Sequence, residues 1–150
     1  MSTFLEIANI LYDDTENNIK SHIGLTIDIT DTGYKFDAYI GKDSSDGRSA
    51  MRIFDYDFTI MKINSFNHSL QDWLVHDSRI FDPVDERQIA NAIRYAHKVT
   101  SILNTQYICA INSDRIPYNL FSEQDKINFE ESICLKLKDS ENGGLFKIRF

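Results

Sequence analysis

Two short apolar runs joined by one long amphipathic segment constrain this chain more than any other feature. The first, Trp73-Leu74-Val75-His76, climbs to an acidic end at Asp77, and the second is QYICAI over residues 106–111. Between them Ile89, Ala92, Ile93, Ala96, Val99, Thr100 and Leu103 fall on one stripe at helical spacing. A strand, a helix of that length and a second strand predict a parallel pair in an α/β fold, with a right-handed crossover. The unbroken apolarity of the second run predicts a strand covered on both faces. Both runs end in polar groups, Asp77-Ser78 and Asn112-Ser113-Asp114. In a parallel pair those ends share the edge on which α/β folds bind ligands.

The remaining segments surround that unit. Phe4, Ile7, Ala8 and Leu11 predict a helix over residues 2–12. Leu25, Ile27 and Ile29 alternate with Thr26, Asp28 and Thr30. After Asp31-Thr32-Gly33 the residues Tyr34, Phe36, Ala38 and Ile40 form a second apolar face, so a β-hairpin is expected. The polar loop GKDSSDG, residues 41–47, leads into a helix over 48–62 carried by Met51, Phe54, Phe58 and Met61. Asp82 is the expected N-cap of the central helix, with Pro83 at its first position and Asp85 three residues after the cap. Ser122 and Asp125 predict a further capped helix. Ile133, Leu135 and Leu137, the turn SENGG, and Phe146, Ile148 and Phe150 predict a closing hairpin. The expected order is α-ββ-α-β-α-β-α-ββ, in one domain spanning residues 1–150.

Composition narrows the function classes. A net charge of −7 argues against a general basic surface for nucleic acid, although contact made by another part of a larger assembly stays open. No apolar run approaches a membrane span, and the acidic start lacks a cleavage site, so a cytoplasmic location is expected. Cys109 and Cys134 sit in apolar stretches outside any CxxC pair and read as buried free thiols. His22, His68, His76 and His97 lack HxxxH or HxH spacing, which weighs against a histidine metal site.

The chemistry legible in these segments belongs to phosphate and metal. A carboxylate at a strand end, Asp77, can hold the water shell of Mg²⁺. The Ser/Gly loop opening a helix at Ser45 and Gly47 can hold a phosphate on free backbone N–H groups. The plainer reading of the same residues, an N-cap by Ser44, Ser45 or Asp46, is the one the local sequence favours. Asn112 and Ser113 at the second strand tip can sense a terminal phosphate. No GxxxxGK[ST] occurs in the chain, so unaided nucleotide binding should be weak.

The order Ser45-Asp46-Gly47 with a helix, the strand to Asp77, the acidic helix start over 82–87 and the strand to Asn112-Ser113 resembles the C-terminal lobe of an ABC-type ATPase head. It is closest to the SMC/RecN-like group. The phrases LVHDSRIFDPVDERQ, QYICAINSD and GGLFKIRF are similar to an uncharacterised domain at the C-terminal end of bacterial SMC-like coiled-coil ATPases. The likeness runs from about Phe4 to Phe150.

That resemblance implies a composite ATP–Mg²⁺ site shared with a P-loop-bearing lobe and a second head in a homodimer. Ser45 and Gly47 match the signature motif, Asp77 the Walker B aspartate on the metal side, and Asp85, with Asp82, the D-loop acid facing the partner head. Asn112 and Ser113 fall at the switch position. Ser78 stands where a glutamate normally orients the attacking water, and Arg48 where Gln or Glu is usual. No histidine ends the second strand, and the P-loop lobe is absent from the chain. Loss of a water-positioning group costs about two to four powers of ten in rate, so slow hydrolysis is expected unless His76 or Glu86 substitutes. The resemblance implies a setting in DNA repair, chromosome maintenance or defence, and no membrane partner. Two other readings stand beside it: a non-hydrolysing dimerisation or structural module, and a metal-dependent phosphoesterase or nuclease using Asp77.

Overall fold

Three helices built on apolar stripes meet around a cluster of phenylalanines. The computed structural model describes residues 2–12, 23–40, 45–66, 73–138, 140 and 143–144. The chain forms two compact units, Met1–Leu120 and Phe121–Phe150. In the first, α1 (Ser2–Tyr12) packs on α2 (Asp46–Phe66) and α3 (Glu86–Leu103). Phe4, Ile7, Ala8 and Leu11 are fully buried, as the spacing predicts, and meet Met51, Phe54, Phe58, Ile89 and Ala92. The Phe54 and Phe58 rings lie 4.5 Å apart at the centre. Truncating either to alanine should cost about 3–5 kcal/mol through lost burial and the cavity left behind.

Strands β1 (Ile23–Thr30) and β2 (Gly33–Ile40) form the expected antiparallel hairpin, pairing Leu25 with Ala38, Ile27 with Phe36 and Ile29 with Tyr34. Gly33 at φ +133° supplies a conformation that side-chain-bearing residues rarely adopt. Thr30 Oγ1 donates to its carbonyl at 2.8 Å. The base of the hairpin is held by Ile23, which is buried. Its outer half is not covered: Ile29 and Tyr34 are 83 % and 71 % exposed.

Strands β3 (Trp73–His76) and β4 (Gln106–Cys109) form the parallel pair around α3. The expectation that β4 is covered on both faces is corrected. Leu74, His76, Tyr107 and Cys109 turn toward the helices, whereas Trp73, Val75 and Ile108 are about half exposed on the other face. β4 also stops at Cys109 rather than Ile111, because β3 ends opposite it and pairing stops with its partner. The result is an α/β chain with sheets of two strands each.

Helix boundaries moved where side chains competed with the backbone. α2 starts at Asp46, capped by Ser45, and runs to Phe66, four residues past the expected end. α3 does not start at Pro83. Phe81 and Val84 are buried as anchors, and their carbonyls accept from Arg115, so the 81–84 segment is a turn and Asp85, not Asp82, caps the helix. Asn104 in the left-handed conformation ends it.

In the second unit, α4 (Glu123–Glu131) carries the expected reciprocal cap, with Ser122 and Asp125 each accepting the other's backbone N–H. Residues 133–138 are not a strand, although Lys138 N–H bonds to the Gly143 carbonyl at 3.0 Å across the expected turn. The expected return strand with Phe146, Ile148 and Phe150 lies outside the described residues, as does Ser44. Both cysteines are free, but neither is fully buried as expected: Cys109 is half-buried and Cys134 is exposed.

Candidate functional site

The parallel register from Trp73 opposite Gln106 to His76 opposite Cys109 brings the chain out of both strands at one edge. Asp77 follows β3 directly and is exposed. Its Oδ1 accepts the Arg79 N–H at 2.9 Å and caps a single 3-10 turn, Ser78–Ile80. Ser78, half-buried, opens that turn. From β4, Asn112 reaches back: its Nδ2 makes a long bond of 3.5 Å to Asp82 Oδ1. Ser113 is exposed at the start of the 3-10 turn Ser113–Arg115.

Arg115 holds this edge together. One guanidinium nitrogen donates to the Phe81 carbonyl at 3.1 Å and the Val84 carbonyl at 2.6 Å, which shapes the turn bearing Asp82 and Pro83. Charge-assisted bonds of this kind are about twice as strong as neutral ones. Beyond the turn Asp85 Oδ1 accepts the Arg87 N–H at 2.9 Å, and Glu86 Oε2 accepts from Asn119 at 3.4 Å.

The start of α2 arrives at the same turn. Ser45 Oγ accepts the Arg48 N–H at 3.3 Å, which is N-cap geometry. Gly47 lies against Pro83, where an added Cβ would sit 2.5 Å from the Pro83 carbonyl oxygen. The glycine is required here by close approach to backbone. Gly47→Ala should therefore destabilise the chain by about 1–3 kcal/mol by overpacking, although alanine is the better helix former. Urea denaturation of the two chains tests this, and equal midpoints would contradict it.

Of the residues expected at the site, Gly47, Asp82 and Asn112 are thus gathered on one turn, flanked by Ser45, Asp85 and Ser113. Asp77 and Ser78 stand at the adjoining strand end. Among the described residues no three His, Cys, Asp or Glu side chains converge where they could hold a metal ion. Asp77 alone offers a single exposed carboxylate, which fits a metal only when the remaining ligands come from elsewhere.

A second array was not legible in the sequence. His76 is buried and faces away from Asp77. Its Nε2 meets Asp57 Oδ2 at 2.9 Å and its Nδ1 meets the Tyr107 hydroxyl at 3.1 Å. Burial, with Cys109 beside it, pushes the Tyr107 hydroxyl far above its usual range, and burial also raises the Cys109 thiol. With both ring nitrogens engaged, His76 is not available to stand in for the missing water-orienting group. Glu86 is held by Asn119 instead. The array joins positions nineteen and thirty-one residues apart in the chain, and local periodicity carries no signal for such contacts. Asp55 had a local signal: it falls inside the apolar stripe of α2, four residues after Met51 and one after Phe54.

Residues 7–150 match the model of a family described as an uncharacterised protein conserved in bacteria (DUF2326). The chain belongs to that family. No curated protein and no solved structure matches it. In this DUF2326 chain no helix among the described residues is long and apolar enough to cross a membrane.

Proposed function

We propose that the chain is the C-terminal nucleotide-binding lobe of an SMC/RecN-like ATPase head, contributing to an ATP–Mg²⁺ site completed by a P-loop-bearing lobe and a second head. One observation carries the reading: the start of α2 at Gly47, the turn with Asp82 and the end of β4 at Asn112 meet beside the strand end at Asp77. Among the described residues the parallel sheet has two strands, and the half-exposed Trp73, Val75 and Ile108 on one face also support the reading. Parallel sheets are normally covered on both faces by further elements.

In this reading the chemistry supplied by bound ATP–Mg²⁺ is phosphoryl transfer to water. Asp77 lends the metal-side carboxylate. Ser45 and Gly47 present the helix start to a phosphate, Asn112 and Ser113 face the terminal phosphate, and Asp82 and Asp85 face the partner head. DNA engagement, in repair, maintenance or defence, then belongs to the assembly rather than to this acidic chain.

Asp77→Asn is the cleanest test, because the amide oxygen keeps the cap to Arg79 while the charge is lost. With the P-loop lobe and ATP–Mg²⁺ present, the unaltered chain should dimerise in a nucleotide-dependent way, and the variant should assemble at least about tenfold more weakly. Sedimentation at graded nucleotide concentrations measures it, and assembly indifferent to nucleotide would favour a structural module instead. Ser78 and the engaged His76 support that second reading. The phosphoesterase alternative finds less support, since it calls for clustered metal ligands.

A further inference from the structure

At the start of β3, the opposite end of the strand from Asp77, an open cleft of about 220 Å³ lies between that strand and the second half of α2. Its floor is aliphatic, made by Ile60, Met61 and Leu74, and the Tyr56 and Trp73 rings line it with Asp57. Asp57 gives Oδ2 to His76, and among the described residues its Oδ1 accepts no hydrogen bond although the side chain is 32 % exposed. Among the described residues no cationic side chain lines the cleft. A carboxylate oxygen open to a ligand, two aromatic rings and an aliphatic floor form an environment suited to one cationic side chain.

We propose that this cleft is a recognition site for an arginine side chain presented by a partner polypeptide. The aliphatic stem lies along Ile60, Met61 and Leu74, as long cationic side chains do on apolar surface. The guanidinium donates to Asp57 Oδ1 and stacks on Trp73, which its flat, weakly hydrated plane suits better than an ammonium. The cleft is smaller than the roughly 300–1,000 Å³ of pockets for whole small molecules. It also offers no cation to neutralise the α-carboxylate of free arginine. Both facts favour a side chain carried by a polypeptide. The surplus of acidic over basic residues, 23 against 16, draws a basic segment toward the chain.

The test uses the full chain and three ligands: acetyl-Gly-Arg-Gly-amide, the same peptide with citrulline in place of arginine, and free arginine. Trp73 is the only tryptophan, so its emission reports on the cleft directly. The arginine peptide should shift that emission saturably in the roughly millimolar range expected for one side chain. The uncharged citrulline peptide and free arginine should each bind at least about tenfold more weakly, and Asp57→Asn should lose at least as much. Trp73→Phe, followed by amide chemical shifts, should weaken binding several-fold. That variant keeps the test decisive should Asp57→Asn disturb the fold through His76. An absent shift, equal binding of the citrulline peptide, or an Asp57→Asn or Trp73→Phe chain that binds unchanged would overturn the site. Free arginine binding as tightly as the peptide would overturn the polypeptide assignment.

Discussion

Replacing Asp55 with asparagine should stabilise the chain by several kcal/mol at pH 8 and by almost nothing at pH 4. Asp55 is fully buried on α2 among Phe54, Phe58 and the tyrosines of α1 and α3. Among the described residues only Thr59 hydrogen-bonds to it, donating to Oδ1 at 3.4 Å, and Oδ2 has no hydrogen-bond partner. Burial raises its pKa from 3.8 to about 8, against a small opposing effect of Thr59. The buried hydroxyl of Tyr12 is pushed up to about 12 by burial, and the buried hydroxyl of Tyr95 lacks a hydrogen-bond partner among the described residues.

The sign follows from proton counting. Below pH 4 the carboxyl is protonated in both the folded and the unfolded chain and contributes no pH dependence. Between pH 4 and pH 8 the unfolded chain has released the proton and the folded chain keeps it, so stability falls as pH rises. The slope is about 1.4 kcal/mol per pH unit. The loss levels off above pH 8 at a total of order 5 kcal/mol. Asparagine has no proton to lose and nearly the same shape, so its chain lacks this slope. Urea midpoints of both chains at pH 4.5, 6 and 8.5 measure the difference, and the other carboxylates cancel in the comparison. Curves that stay parallel would show that Asp55 ionises in the fold at its ordinary pKa.

The second large effect is expected at Ser78. On the proposed ATPase-head reading, Ser78→Glu should raise ATP turnover of the chain with its P-loop lobe by about two powers of ten or more, the range spanned by a positioned general base. Ser78 is half-buried as the first residue of the 3-10 turn capped by Asp77. An acidic side chain is well tolerated at a helix start. Neither candidate substitute is free for the role, since His76 is turned inward to Asp57 and Tyr107 and Glu86 Oε2 accepts from Asn119. Steady-state phosphate release by the chain with its P-loop lobe, before and after substitution, reads the result. Unchanged turnover alongside intact nucleotide-dependent assembly would mean that hydrolysis is limited elsewhere. The likeness to an ATPase head would stand, and the part given to Ser78 would fall.

Much of the fold was legible because its signals are local. The stripe of Phe4, Ile7, Ala8 and Leu11 specifies a helix and the face it buries, and all four are buried. Alternation on either side of Asp31-Thr32-Gly33 specified the hairpin, and the structure set its register, with Gly33 inside β2 opposite Thr30. The strand–helix–strand order made β3 and β4 parallel and put Asp77 and Asn112 on one edge. Within the candidate site, a Ser/Gly helix start and a strand-end carboxylate could be named as parts, because residue type and position relative to an element carry that chemistry.

What the sequence by itself determined is therefore the order and type of the helices and strands from α1 to α4, and the common edge of the parallel pair. Those follow from periodicity and from short-range backbone sterics. Only the tertiary structure decided that Asp85 caps α3, because the buried side chains of Phe81 and Val84 and the guanidinium of Arg115 outcompeted helix formation at Pro83. Only there does Gly47 meet the Pro83 carbonyl, His76 turn to Asp57 and Tyr107, and one face of β3 and β4 stay open. Each of these depends on which distant surfaces pack together, and long-range packing leaves no mark on the spacing of neighbours along the chain.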